Sequence, residues 1–259
     1  MDLGIGGRIA VVCASSRGLG KACALALAQE GCDVLINGRD AETLAQTAQD
    51  ILSSTGRLPR TVVADLSTMA GRQALLAECP VVDILVTNNG GPEPGRLEDW
   101  DHAAWLAAIE ANMLSGILLI QAVVGGMRER GFGRIVNITS AMVKSPRLPL
   151  GLSTAARAGL TAFCKALSVE VARDNVTINN LLPERIETDR LRFMTEQLAK
   201  HRQLSVEQAR VEMLKPIAAR RFGQPSELAA ACAFLCSAQA SYITGQNLQI
   251  DGGSYSGLI

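Results

Sequence analysis

Short apolar runs alternate with Ala/Leu-rich helical stretches along the chain. Arg8–Cys13, Asp33–Asn37, Thr61–Ala64, Val82–Thr87, Arg134–Thr139, Thr177–Leu182 and Leu248–Ile250 read as strands. The early ones are nearly continuous in apolar residues, as a parallel sheet covered on both faces requires. Gly18–Glu30, a segment capped by Asp40 and running to about Ser54, Ser67–Glu78, Trp100–Arg130, Leu152–Arg173 and Glu227–Ser237 read as helices. The long helical stretch carries an expected break near Ser115–Gly116. Regular βα alternation predicts right-handed crossovers and one doubly wound α/β domain over residues 1–259. The polar, helix-rich segment Glu184–Phe222 departs from that pattern, with nine Arg/Lys against six Asp/Glu. It reads as an insertion after the sixth strand, a lid over the carboxyl edge of the sheet, where ligands of open α/β sheets bind.

Composition narrows the classes. The 259 residues are 48% hydrophobic and 19% charged, ordinary globular values that exclude a disordered chain. Twenty-five basic and 25 acidic residues, with 5 Phe, 2 Trp and 2 Tyr, offer neither the basic footprint nor the stacking platforms of a nucleic-acid binder. No secretory signal is expected at Met1–Ser16. The apolar stretches Gly116–Met127 and Leu228–Cys236 fall short of the roughly 18 residues of a membrane span. Seven cysteines without a C-x-x-C pair read as small core residues in a reduced, cytoplasmic setting. No His/Cys/Asp/Glu cluster has metal-ligand spacing, and His102 and His201 read as surface residues.

Candidate chemistry begins at the turn after the first strand, Ala14-Ser15-Ser16-Arg17-Gly18-Leu19-Gly20. Glycines between a strand and a helix let backbone N–H groups approach a pyrophosphate. This turn predicts a Rossmann dinucleotide site. The second strand ends Asn37-Gly38-Arg39, without the carboxylate that accepts from a ribose 2′-OH. Arg39 and Arg17 can instead pair with a 2′-phosphate, so the expected cofactor is NADP(H).

From about Gly6 to its end the chain resembles the short-chain dehydrogenase/reductase family, and within it the 3-oxoacyl-(acyl-carrier-protein) reductases. Asp65-Leu66 resembles the family's adenine contact, and Asn88-Asn89-Gly90-Gly91 is similar to its Asn-Asn-Ala-Gly turn. Pro183-Glu184-Arg185-Ile186-Glu187-Thr188 resembles the Pro-Gly-x-Ile-x-Thr that flanks the nicotinamide, which implies roles for Pro183, Ile186 and Thr188. Tyr242-Ile243-Thr244-Gly245 and Ile250-Asp251-Gly252-Gly253 are similar to the C-terminal signature. The resemblance also implies a homodimer or homotetramer packed through Glu227–Ser237.

The family's catalytic tetrad is Asn, Ser, Tyr and Lys. Asn112 and Ser140 fall at the first two positions. The Tyr position, 13 residues after Ser140, is Ser153, and the Lys position is Arg157. The chain is therefore an atypical member by this resemblance. A serine hydroxyl is far less acidic than a phenol, and Arg stays protonated, so a poor proton shuttle replaces a good one. General acid catalysis is worth about 10²–10⁴-fold. Lys144, four residues after Ser140, reads equally as a desolvated proton donor near Arg157 or as a solvated loop residue. Tyr242 and Tyr255 lie far along the sequence, and Tyr255 reaches the site only if the fold or an oligomer brings it there.

Three functions follow. The first is an NADPH-dependent reductase of a small carbonyl substrate, including an acyl thioester. In it Ser140 and Ser153 hold the carbonyl oxygen, Arg157 stabilises developing charge, and Lys144 or a water relay supplies the proton. The second is a nucleotide-binding protein without hydride transfer, because Ala14 and Glu184 also replace family glycines. The third is a lyase or isomerase that uses Arg157 to stabilise an enolate. The net +3 of Glu184–Phe222 suits an anionic substrate, and a solvated lid explains it equally well.

Overall fold

The computed structural model describes residues 2–258. Among them seven parallel strands form one sheet: β1 (Ile9–Val12), β2 (Asp33–Gly38), β3 (Arg60–Val63), β4 (Ile84–Thr87), β5 (Gly133–Ile138), β6 (Val176–Pro183) and β7 (Asn247–Ile250). Their order is β3-β2-β1-β4-β5-β6-β7, a doubly wound sheet as the alternation predicts. The chain reverses direction across the sheet between β1 and β4. The loops after these two strands therefore part and leave a crevice at the carboxyl edge.

Both faces are covered. Alternate residues of one strand enter opposite cores: Ala10 and Val12 face α1 (Gly18–Gln29), α2 (Ala41–Thr55) and α9 (Pro225–Cys236). Val11 faces α3 (Met69–Glu78), α5 (Ser115–Glu129) and α6 (Gly151–Val171). Leu, Val, Ile and Cys build both cores, with Ala and Phe132 added on one face and Met127 on the other, and all seven cysteines are buried and free.

Two sequence expectations need correction. The break expected near Ser115–Gly116 does not occur. Instead α4 (His102–Ile109) runs through a π-helical turn, Glu110–Leu114, into α5. No proline interrupts this stretch, so an extra residue is absorbed as a bulge rather than a stop. The resulting helix His102–Glu129 spans 28 residues and is long and apolar enough to cross a membrane by length and composition, against the earlier reading. Its buried positions, from Ala108 to Met127, face inward, and Leu119, Ile120, Val123 and Met127 join the sheet core.

Glu184–Phe222 holds α7 (Asp189–Arg202) and α8 (Val206–Leu214). They bury a small cluster of their own, Leu191, Met213, Ile217 and Phe222. A single bridge, Ile186 to Gly223, closes the base of this segment. The bidentate pair Arg210–Glu187, at 3.0 and 2.8 Å, ties α8 to the same base.

Candidate active site

The crevice has a cofactor end and a reacting end. At the cofactor end, α1 starts at Gly18 with no side chain on its first N–H groups and no acid in its first turn. Asp40, Thr68, Asp101, Thr188 and Ser205 cap other helices. The uncapped start keeps N–H donors and the positive dipole end for an anion. Gly20 permits the turn, since a Cβ there would stand 2.4 Å from the Ala14 carbonyl oxygen. Ala14 occupies φ 44°, a left-handed conformation that costs a residue with a Cβ about 1–2 kcal/mol.

The predicted cofactor residues divide into two groups. Ser15 is fully buried, its Oγ donating to Val12 O at 2.7 Å and accepting from Asn37 N at 2.9 Å, so it braces the turn. Ser16 anchors α2 by accepting from Thr47 Oγ1 at 2.7 Å, and Leu19 packs into the core beneath. Arg17 and Arg39 are exposed at the open side of the turn. Asp65 is held below the usual carboxylate range, first by the Ser67 N–H and hydroxyl and, to a lesser degree, by the charge of Arg39. Leu66 O accepts from Arg72, whose guanidinium also pairs with Glu110 at 3.0 Å. Thr188 caps α7 and lies against Gly18, Ile186 is buried, and Pro183 ends β6. These features fit a phosphorylated dinucleotide: free N–H groups for a pyrophosphate and two exposed guanidinium groups for a 2′-phosphate.

The reacting end gathers Ser153 and Arg157, which the resemblance sets at the family's Tyr and Lys positions. Arg157 is buried, and each of its N–H groups is engaged. Nε donates to Ser153 Oγ at 3.0 Å. Nη1 donates to Ile138 O at 2.8 Å and Thr139 O at 3.2 Å. Nη2 donates to Asn89 Oδ1 at 3.1 Å and Asn89 O at 3.4 Å. No carboxylate takes part. Burial, and secondarily the charge of Arg190, lowers its pKa to about 10, which leaves it charged at neutral pH. Arg157 thus has no N–H left for a substrate oxygen. Its influence passes through its charge and through Ser153, whose Oγ accepts from Nε and keeps its own proton to donate.

Ser140 is arranged alike, its Oγ accepting from Met142 N at 3.2 Å. Gly91 borders Ser153 and Arg157, and a Cβ on it would stand 3.4 Å from Ser153 Oγ. Asn112 sits on the π-helical turn with Oδ1 buried and without a hydrogen-bond partner. It lines a cavity of about 20 Å³ together with Thr87, Asn88, Ser115 and Arg157. That volume and lining suit one water molecule. Lys144 is half-buried, its Nζ 5.7 Å from the ring of Tyr255. The fold therefore carries the C-terminal segment to the loop after β5. His102 and His201 are exposed.

Two features escaped the sequence reading. Beneath the site Thr87, Asn137, Asn180 and Asn247 form a hydrogen-bonded ladder across β4 to β7, at 2.6, 2.9 and 2.8 Å. Asn37 closes the cofactor turn by accepting from Ala14 N at 3.3 Å and donating to Val62 O at 3.0 Å. Polar residues at the ends of apolar strands were the available signal.

A parallel sheet of this order, with a phosphate-ready turn and a buried polar reacting end, defines a nucleotide-dependent oxidoreductase scaffold. Residues 13–255 match the family described as Enoyl-(Acyl carrier protein) reductase, and the chain belongs to the short-chain dehydrogenase/reductases. It is 35% identical over 250 residues to the 3-oxoacyl-[acyl-carrier-protein] reductase of Vibrio cholerae, covering 96% of this chain and 98% of that one. It is 32% identical over 252 residues to an NADPH-dependent reductase of Bacillus subtilis, covering 95% and 97%. The crystal structure of L-sorbose reductase from Gluconobacter frateurii, complexed with NADPH and L-sorbose, superposes with a TM-score of 0.93 at 29% identity, covering 100% of both chains.

Proposed function

We propose that this protein is an NADPH-dependent reductase of a small carbonyl compound that works without the family's Tyr and Lys. The observation that carries this is the bond from Arg157 Nε to Ser153 Oγ at 3.0 Å, which turns a serine into an oriented donor. Bound NADPH supplies the hydride to the carbonyl carbon. As the carbonyl π pair moves to oxygen, the Ser153 and Ser140 hydroxyls donate to that oxygen. The Arg157 charge, held in a poorly solvated place, favours the developing alkoxide. A water beside Asn112 and Arg157, or Lys144, then supplies the proton. Serine and arginine stabilise an oxyanion better than they deliver a proton, so turnover is slower than with a phenol, by about 10²–10⁴-fold.

Further proposals attach to this reading. Arg17 and Arg39 hold the 2′-phosphate, which selects NADP(H) over NAD(H). The segment 184–222 acts as the substrate lid, and an acyl thioester is one admissible substrate. Exposed Phe234 on α9 and exposed Tyr242 and Leu248 support self-association as a dimer or tetramer, which sedimentation velocity tests. Seven buried free thiols support a reduced, cytoplasmic setting, which cell fractionation tests.

The decisive experiment titrates the pure protein with NADPH and NADH by fluorescence. It then follows NADPH absorbance with 3-oxoacyl thioesters, diketones and quinones. The expected result is tighter binding of NADPH and slow, substrate-dependent oxidation. Binding without oxidation of NADPH by any carbonyl overturns the reductase reading in favour of a nucleotide-binding protein or a non-redox enzyme. Failure to bind either nucleotide overturns the cofactor assignment as well.

A further inference from the structure

Charge is distributed unevenly in a chain whose basic and acidic residues balance at 25 each. At the carboxyl edge of β4, β5 and β6, three cations make no ion pair among the described residues. Arg157 bonds only to neutral oxygens. Lys144 lies against the Tyr255 ring. Arg190, in the first turn of α7, donates one N–H to Pro92 O at 2.7 Å and makes no other hydrogen bond among the described residues. Arg147 and Arg185 add two more cations and share one carboxylate, Glu184, at 3.2 and 3.5 Å. Nη1 of Arg185 is buried without a hydrogen-bond partner. Glu93, beside Pro92, is exposed and pairs with none of them. The edge thus sets five cations against one carboxylate paired with them, Glu184, and two exposed carboxylates, Glu93 and Asp189, the latter paired with Arg192 at 3.4 Å.

Arg157 is buried and Lys144 and Arg185 are half-buried, whereas Arg190 and Arg147 are exposed at the rim; buried or half-buried charge of one sign calls for an opposite charge. The features that fit the cofactor's phosphates are the start of α1 and Arg17 and Arg39; the cap of α7, Thr188, lies against Gly18 there, but the Arg190 side chain turns to Pro92. The excess at the reacting end is therefore left for the substrate. Arg190 is placed to meet it. Its anchor, Pro92, follows Gly91, which borders both Ser153 and Arg157. Its charge is the one that acts on the Arg157 guanidinium, after burial. Its guanidinium lies 5.8 Å from the Phe193 ring, and four of its five N–H groups make no hydrogen bond among the described residues, in a fork that matches a carboxylate.

We propose that the substrate carries a carboxylate close to its reacting carbonyl, as an oxo acid does, and that Arg190 is the residue that holds it. This deepens the reductase reading and rests on it for the reaction, though the anion site itself can be tested apart. Lys144 and Arg157 raise the local potential, and a neutral ketone or ester of the same carbon skeleton lacks that attraction.

The test has two arms. In the first, NADPH oxidation is measured with 2-oxobutanoate and acetoacetate against their methyl esters, for the wild type, Arg190→Gln and Arg190→Lys. A hydrogen-bonded ion pair of this kind is worth about ten- to hundredfold. The acid-to-ester ratio of kcat/KM should fall by that much in Arg190→Gln and recover in part in Arg190→Lys. In the second arm, calorimetry follows malonate, which cannot be reduced, binding to the NADP⁺-loaded protein. Binding should weaken with added salt and be lost in Arg190→Gln, and malonamide should not bind. Esters reduced as well as acids, with a ratio that Arg190→Gln does not move, would overturn the proposal and leave the reductase reading standing. So would malonate bound equally by the variant, or not bound at all. Malonate binding without oxidation of NADPH by any carbonyl would overturn the reductase reading and leave the anion site standing.

Discussion

Two arginines are buried at opposite edges of this sheet, and neither meets a carboxylate. Arg134 opens β5 at the amino edge, and Arg157 sits under the carboxyl edge. Arg134 gives Nε to Ser237 O at 3.1 Å, Nη1 to Gly133 O and Asn175 O at 2.8 and 2.9 Å, and Nη2 to Asn175 Oδ1 at 3.2 Å. Its guanidinium also lies 4.5 Å from the Phe132 ring, whose ring Arg8 approaches at 3.8 Å. Burial lowers the pKa of both side chains. The difference lies in one partner. Every acceptor of Arg134 is a carbonyl oxygen, which ends the chain of hydrogen bonds. Arg157 has a hydroxyl among its acceptors, and a hydroxyl passes the polarisation on through its own proton. The same caged guanidinium is a fastener at one edge and, in the proposed reaction, a means of activating a donor at the other.

The largest expected effect breaks the comparison on the fastening side. Arg134→Ala strands the carbonyls of Gly133, Asn175 and Ser237 and should cost about 3–5 kcal/mol in urea unfolding. Arg157→Met removes a buried charge as well as its bonds, so part of the loss is offset. Its stability cost should be smaller, about 1–2 kcal/mol, while kcat falls about 10²–10³-fold, the value of a lost oxyanion stabiliser. An unfolding cost equal to that of Arg134→Ala with kcat unchanged would make Arg157 a second fastener.

At the cofactor turn, Ala14→Gly relieves the strain at φ 44° and should stabilise the protein by about 1 kcal/mol in thermal unfolding. An unchanged or lower melting temperature would show that the turn is not strained.

The smallest effect lies away from both arginines. Glu227 caps α9 and pairs with Arg221 at 2.6 Å; the Arg221 side chain and then the Gln224 N–H lower its pKa to about 2. A depressed carboxylate pKa stabilises the fold above the unfolded value near 4.5 and loses that contribution as pH falls toward about 2. Glu227→Gln should flatten the stability profile between those two values, with a small loss of stability at pH 7 that vanishes as pH falls toward 2.

The sheet was legible because its strands are apolar on both faces, and that pattern survives without knowledge of tertiary contacts. The cofactor turn was legible because glycines, a strand and a helix are adjacent in sequence. Ser153 and Arg157 stood out through the family resemblance, which fixes where Tyr and Lys are expected after Ser140. What escaped depends on contacts between distant segments. Arg134 reads as the first residue of a strand, and its partners Asn175 and Ser237 are remote in sequence. Tyr255 reaches Lys144 only because the segment after β7 returns to the carboxyl edge. The π-helical turn that carries Asn112 has no sequence signature, since a single extra residue in a helix leaves the apolar pattern almost intact. Nor does residue type reveal that every N–H of Arg157 is consumed.

The central claim is that Ser153 is the donor that Arg157 orients. Its most direct test is kcat for NADPH oxidation in Ser153→Ala against the wild type, with NADPH affinity and melting temperature measured on the same preparations. The account predicts a fall in kcat of about 10²-fold with both other quantities nearly unchanged. A kcat equal to that of the wild type would contradict it and place the donor elsewhere.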